Sequence, residues 1–83
     1  VLTPPVFFTV IIPARNEEQH IAACLQSILN GTYSKDQYEI WVVDDHSADR
    51  TPFIVEEIAQ QYHHVHLLKL ADHIADPALV AYK

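Results

Sequence analysis

The chain has 83 residues, five of them Lys or Arg and eleven Asp or Glu, for a formal charge of −6; this balance disfavours a nucleic-acid partner, because such binding relies on basic residues releasing counterions. A hydrophobic fraction of 49% with 19% charged residues fits a small globular domain and is too apolar for a disordered segment. No apolar run nears the roughly 20 residues that cross a bilayer and the first residues do not read as a secretory leader, so no membrane contact is expected from this segment.

Residues 1–6, with Pro4 and Pro5, read as an extended lead-in, since proline removes a ladder donor and restricts its predecessor. The run Phe7–Ile12 is β-branched and aromatic almost throughout, the pattern of a strand buried on both faces, and Pro13 is expected to end it. Asn16 then suits a helix N-cap, with Glu17 and Glu18 in the first turn and Gln19 completing a capping box. The spacing of Ile21, Cys24, Leu25, Ile28 and Leu29 predicts one apolar helix face, and Gly31 suits a left-handed residue just past the end. Cys24, the single cysteine, belongs to that stripe as a packing residue and cannot form an internal disulfide, which fits a reducing, cytoplasmic setting.

A second doubly buried strand is predicted over Tyr38–Val43, with Asp44 and Asp45 at its carboxyl end. Ser47, Asp49 and Thr51 are capping types; Thr51 followed by Pro52 predicts a helix whose stripe is Ile54, Val55, Ile58, Ala59 and Tyr62. Val65–Leu70 forms a third strand, with His64 and His66 expected to be exposed or hydrogen-bonded on one of its faces, and residues 71–83 are a poorly defined tail. Strand, helix, strand, helix, strand with short links gives an α/β class with a parallel three-stranded sheet in a single domain over residues 1–83.

Ligands of open parallel sheets bind beyond the carboxyl ends of the strands. Here those positions hold Pro13-Ala14-Arg15-Asn16-Glu17-Glu18 and Asp44-Asp45-His46-Ser47-Ala48-Asp49-Arg50-Thr51. Gly31 is the only glycine, which excludes the glycine-rich phosphate loops. A strand-end carboxylate can instead accept a hydrogen bond from a base N–H. His63, His64 and His66 lack cysteine or carboxylate partners at ligand spacing, so no metal site is expected.

The two segments from Val10 to Glu18 and from Val42 to Thr51 resemble, in order and separated by one helix, the opening signatures of family 2 glycosyltransferases, which have the GT-A fold. The resemblance covers residues 7 to about 70 and implies a three-layer, Rossmann-like βαβαβ half of that fold. It implies that Pro13, Ala14, Arg15 and Glu17 line a nucleoside pocket, that Asp45 contacts the uracil edge, and that Asp44 supports it. Lys83 is a weaker match to a basic residue near the nucleotide.

By the same resemblance, a later Asp-x-Asp signature binds a divalent metal, Mg or Mn, and the catalytic base lies further on still. Neither occurs between Val1 and Lys83, and the start at Val1 and stop at Lys83 suggest a piece of a longer protein. The expected function is therefore the UDP-sugar-binding part of an inverting glycosyltransferase, with no catalytic residue and no transfer activity of its own. Two other readings stand beside it: a non-catalytic binding or assembly module, and a receiver-like phospho-switch suggested by Val42-Val43-Asp44-Asp45, whose acidic pair follows the wrong strand for that role. The implied strand order of three, two, one, four leaves strand 7–12 as an apolar edge without charge, proline or bulge, which predicts a homo-oligomer through that strand or by exchange of the tail.

Overall fold

The computed structural model describes residues 7–71; the lead-in, the tail with its proposed exchange, and Lys83 lie outside them. The elements are β1 (Phe8–Ala14), α1 (Ile21–Leu29), β2 (Tyr38–Asp44), α2 (Thr51–Gln61) and β3 (Val65–Lys69). All pairing is parallel in the order β1-β2-β3, and the register sets Val10 beside Ile40 and Ile40 beside Val65, so that Ala14, Asp44 and Lys69 align at the carboxyl rim. The fold is α/β with a three-stranded parallel sheet.

The strands alternate rather than being buried on both faces. Tyr38, Ile40, Val42 and Asp44 are buried and their neighbours only partly so. Two right-handed crossovers that advance the chain in one direction set both helices on the same face, and α1 and α2 touch each other there. The core is accordingly one-sided: Ile40 and Val42 of β2 meet Leu25 of α1 and Val55 and Ile58 of α2. On the other face Ile11 is 65% exposed and Leu68 is also exposed, so the described residues form two of the three layers that the resemblance implies. Trp41, partly covered, stacks on His66 at 4.5 Å there.

Four local expectations are corrected by neighbours that sequence spacing does not reveal. Pro13 does not end β1, which runs to Ala14. Phe8 N donates to Gln37 O, so the amides at 8, 10, 12 and 14 point at β2 and position 13 points away from it; an outward edge position loses nothing by lacking an N–H. The edge strand therefore does contain a proline.

Helix α1 starts at Ile21 rather than after Asn16, which has φ 53° and cannot serve as an extended N-cap. Gly31 has no positive φ; it fits because a Cβ there would lie 3.1 Å from Ile28 O. Cys24 is exposed, not packed in the core. Among the described residues no helix is long and apolar enough to cross a membrane.

His64 also departs from the expectation of an exposed or hydrogen-bonded ring. It is 5% exposed, just ahead of β3, with its ring edge-on to Tyr38 and near Tyr62, and neither ring nitrogen has a hydrogen-bond partner. Burial first, then the charges of His63, Lys35 and His66, hold its pKa below the ordinary 6.5. The unfolded chain thus takes the proton more readily, and stability is complete above about 6.5 and falls as pH drops from there toward the folded-state value. His64→Phe keeps the aromatic contacts and removes the unpaired ring nitrogens, so it is expected to stabilise the fold by about 1 kcal/mol. Urea unfolding in mildly acid and neutral buffers checks both points: the wild-type midpoint falls toward acid and the variant's changes less.

Candidate nucleotide site

The rim of the sheet is built by two loops that hold each other. Leaving β1, the chain turns at Asn16, and the next three amides find no partner within their own helix. Asn16 N donates to Ser47 Oγ at 2.9 Å, Glu17 N to Thr51 Oγ1 at 2.8 Å, and Glu18 N to Asp49 Oδ2 at 3.2 Å. The traffic also runs the other way, since Ala48 N donates to Asn16 Oδ1 at 2.8 Å and Arg50 N to Glu18 Oε1 at 3.0 Å. These five bonds form a clasp between the loop after β1 and the loop after β2.

The clasp explains why α1 begins late. Asn16 adopts its left-handed conformation, one that asparagine tolerates better than most residues, and directs its side chain across to Ala48. Glu17 O then accepts from His20 N and Ile21 N, and the helix starts from that turn.

Two hydroxyls act as relays inside the clasp. Ser47 Oγ donates to Asp44 while accepting from Asn16, and Thr51 Oγ1 donates to Asp49 while accepting from Glu17. Asp44, only 2% exposed, therefore lies turned toward the loop, where it also accepts from Ser47 N. For Asp49, desolvation works to raise the carboxyl, but hydrogen bonds from the Thr51 hydroxyl and from the amides of Thr51 and Glu18 outweigh it, and its pKa lies below the ordinary 3.8. Its contribution to stability is present above about 3.8 and is lost as pH falls through the lower folded value.

Of the residues expected at the pocket, Pro13, Ala14 and Glu17 line a cleft of about 230 Å3 that Cys24 also borders. Ala14 is buried, whereas Pro13, Arg15 and Glu17 are exposed. Asp45 is outside that cleft's lining and is tied to the same strand end through its amide, which donates to Ala14 O at 2.9 Å. Its Oδ1 lies 2.8 Å from His46 Nδ1, and His46 Nε2 lies 2.9 Å from Ala71 O. Leu70 N donates to Asp44 O, so all three strand ends are joined along one rim.

Ser47, Asp49 and Thr51, expected to cap α2, hold the neighbouring loop as well. Asp49 does accept from Thr51 N at 2.9 Å, but Thr51 is the first residue of α2 rather than its cap. The part played by Asn16 and His46 in linking loops was not expected. The available signal was a density of short polar side chains on both loops, which names acceptors without naming their donors.

Among the described residues no group of three or more His, Cys, Asp or Glu is placed to hold a metal ion. Asp44 and Asp49 each carry a hydroxyl of the clasp, and this loop does not fit the metal site of the resemblance.

Comparison with known proteins meets this geometry. A family model described as glycosyl transferase family 2 matches residues 9–73, and the chain belongs to that family. It is 38% identical over 63 residues to the beta-monoglucosyldiacylglycerol synthase of Trichormus variabilis, covering 76% of this chain and 14% of that protein. Residues 1–349 of Staphylococcus aureus TarS, solved in complex with UDP, superpose with a TM-score of 0.70 at 34% identity, over 78% of this chain and 19% of that one. A mannosyltransferase from Pyrobaculum calidifontis in complex with GDP-Man and Mn2+ gives a TM-score of 0.76 at 28% identity, over 96% and 24%. The chain thus spans about a seventh to a quarter of the length of these relatives.

The clasp predicts a specific sensitivity. Thr51 is fully buried, and Thr51→Val keeps its shape but removes both the acceptor for Glu17 N and the donor to Asp49; the expected cost is about 1 to 2 kcal/mol. Denaturant unfolding measures the loss, and hydrogen exchange should place the weakened protection at Glu17.

Proposed function

We propose that the rim binds the nucleoside end of a nucleotide-sugar donor, as the front part of an inverting family 2 glycosyltransferase. The observation that supports this most is Asp45, a partly exposed carboxylate at the carboxyl end of the central strand, on a loop knitted to the segment from Pro13 to Glu17. A carboxylate so placed accepts the imide N–H of uracil, while Pro13, Ala14, Arg15 and Glu17 line the nucleoside and Asp44 holds the turn beneath. A UDP-linked sugar is the proposed donor, in keeping with the UDP complex of the TarS fragment.

Asp45→Ala is expected to weaken uridine diphosphate binding by about 1.5 to 3 kcal/mol, the usual worth of a hydrogen bond to a charged group. Amide-shift titration reads this directly: the shifts should fall on Asp45 and the Pro13–Glu17 segment. Shifts confined to the His63–His66 region would place the ligand elsewhere.

We further propose that the 83-residue chain transfers no sugar by itself. Its sequence contains no Asp-x-Asp, and the divalent metal, Mg or Mn, would be held by a later part of the longer protein, where it offsets diphosphate charge. The cytoplasmic setting expected from the lone cysteine belongs to the same proposal. Among the described residues β1 pairs only with β2, and Ile11 on the open face of the sheet is exposed; Pro13 blunts only the carboxyl end of that edge, so self-association is expected through the residues 7–12 ahead of it. Purified chain assayed with UDP-sugars and manganese should show no turnover. Light scattering on the same material should show a mass that rises with concentration, and metal-dependent turnover or a persistent monomer would contradict the respective claim.

A further inference from the structure

The aspartate proposed to read the base does not hold its own position. We infer that His46 is a positioning residue for donor recognition, fixing the Asp45 carboxylate against the strand ends; this rests on the reading of Asp45 given above. The imidazole spans two loops, with Nδ1 at 2.8 Å from Asp45 Oδ1 and Nε2 at 2.9 Å from Ala71 O. Both partners are acceptors, so every proton the ring carries is directed at one of them.

The ring is less than a third exposed and Asp45 only slightly more so, which sets the contact in a region where hydrogen bonds are screened less than at an open surface. The backbone is placed with equal care. His46 has φ 60°, a left-handed conformation that sends the chain back toward Ser47, whose amide and hydroxyl both reach Asp44. The residue thus turns the loop with its backbone and braces it with its side chain. Because Ala71 immediately follows the Leu70 that is bonded to Asp44 O, the brace ends on chain already fixed to the central strand.

These two duties can be separated. Glycine and asparagine both accept a positive φ, but only asparagine presents an amide N–H near where Nδ1 stands. Replacing His46 by glycine preserves the turn and removes the brace from Asp45, whereas asparagine preserves the turn and restores that donor.

The test uses His46→Gly and His46→Asn in the 83-residue chain, with uridine diphosphate as the probe. In the ligand-free chain, the Asp45 side-chain carboxyl carbon resonance should move in His46→Gly and return toward its wild-type position in His46→Asn. On titration, His46→Gly should bind about tenfold more weakly, equivalent to about 1.4 kcal/mol, and His46→Asn within about threefold of wild type. Backbone amide spectra confirm that both variants keep the fold; if His46→Gly does not, the comparison of His46→Asn with His46→Ala, whose side chain has no donor, carries the contrast at Asp45.

Equal Asp45 resonances in the wild type and His46→Gly, or equal losses of affinity in Gly and Asn, overturn the inference. A wild-type chain that shows no response to uridine diphosphate overturns the proposed site, while the ligand-free resonance still decides whether His46 orients Asp45.

Discussion

Three consecutive backbone amides, those of Asn16, Glu17 and Glu18, leave the edge strand with no helix of their own to join. Each is instead satisfied by a side-chain oxygen from the loop after the central strand. The late start of α1, the left-handed turn at Asn16 and the inward facing of Asp44 are consequences of this one requirement. The bond from Glu17 N to the buried Thr51 hydroxyl is part-buried and the other two are exposed; a bond of this kind contributes about 0.5 to 1.5 kcal/mol, which is not small beside the stability of a domain of this size.

The way the acidic loop is used follows from the same need. Asp44 and Asp49 each accept a hydroxyl that in turn accepts an amide, so their negative charge is directed into the clasp. Asp45 differs in kind, being held by the neighbouring histidine ring at the rim. Three aspartates within six residues thus divide into two that serve the clasp and one at the rim, and the chain turns at His46, with φ 60°, directly after the one that differs.

The sequence makes much of the fold legible and hides what lies between elements. The apolar runs at Phe7–Ile12 and Tyr38–Val43 and the stripe from Ile21 to Leu29 are local patterns, and β1, β2 and α1 appear where those patterns stand, to within two residues at their ends. Burial is hidden where it depends on topology: a doubly apolar run signals two covered faces, yet both crossovers here cover the same face and leave Ile11 and Leu68 in solvent. His64 reads as a surface histidine because nothing nearby in sequence announces the rings of Tyr38 and Tyr62. At the rim, strand ends alone single out the two polar clusters from Pro13 to Glu18 and from Asp44 to Thr51, and the choice of Asp45 within them comes from the family resemblance. Ser47, Asp49 and Thr51 carry the same side-chain chemistry whether they cap a helix or grip another loop, and only the parallel register decides which donors reach them.

That register gives the clasp a further property. Phe8 pairs with Tyr38, thirty positions on, and the bonds of the clasp join residues thirty-one to thirty-four apart. Zipping β1 against β2 therefore closes nearly the same loop that the clasp needs closed, and the chain entropy of that closure is lost only once. A slip of one residue in the ladder would carry Asn16, Glu17 and Glu18 past their acceptors together, leaving the mispaired sheet with several unsatisfied groups at its end. The clasp acts as a proofreading latch on strand alignment, and it is the same latch that shapes the rim.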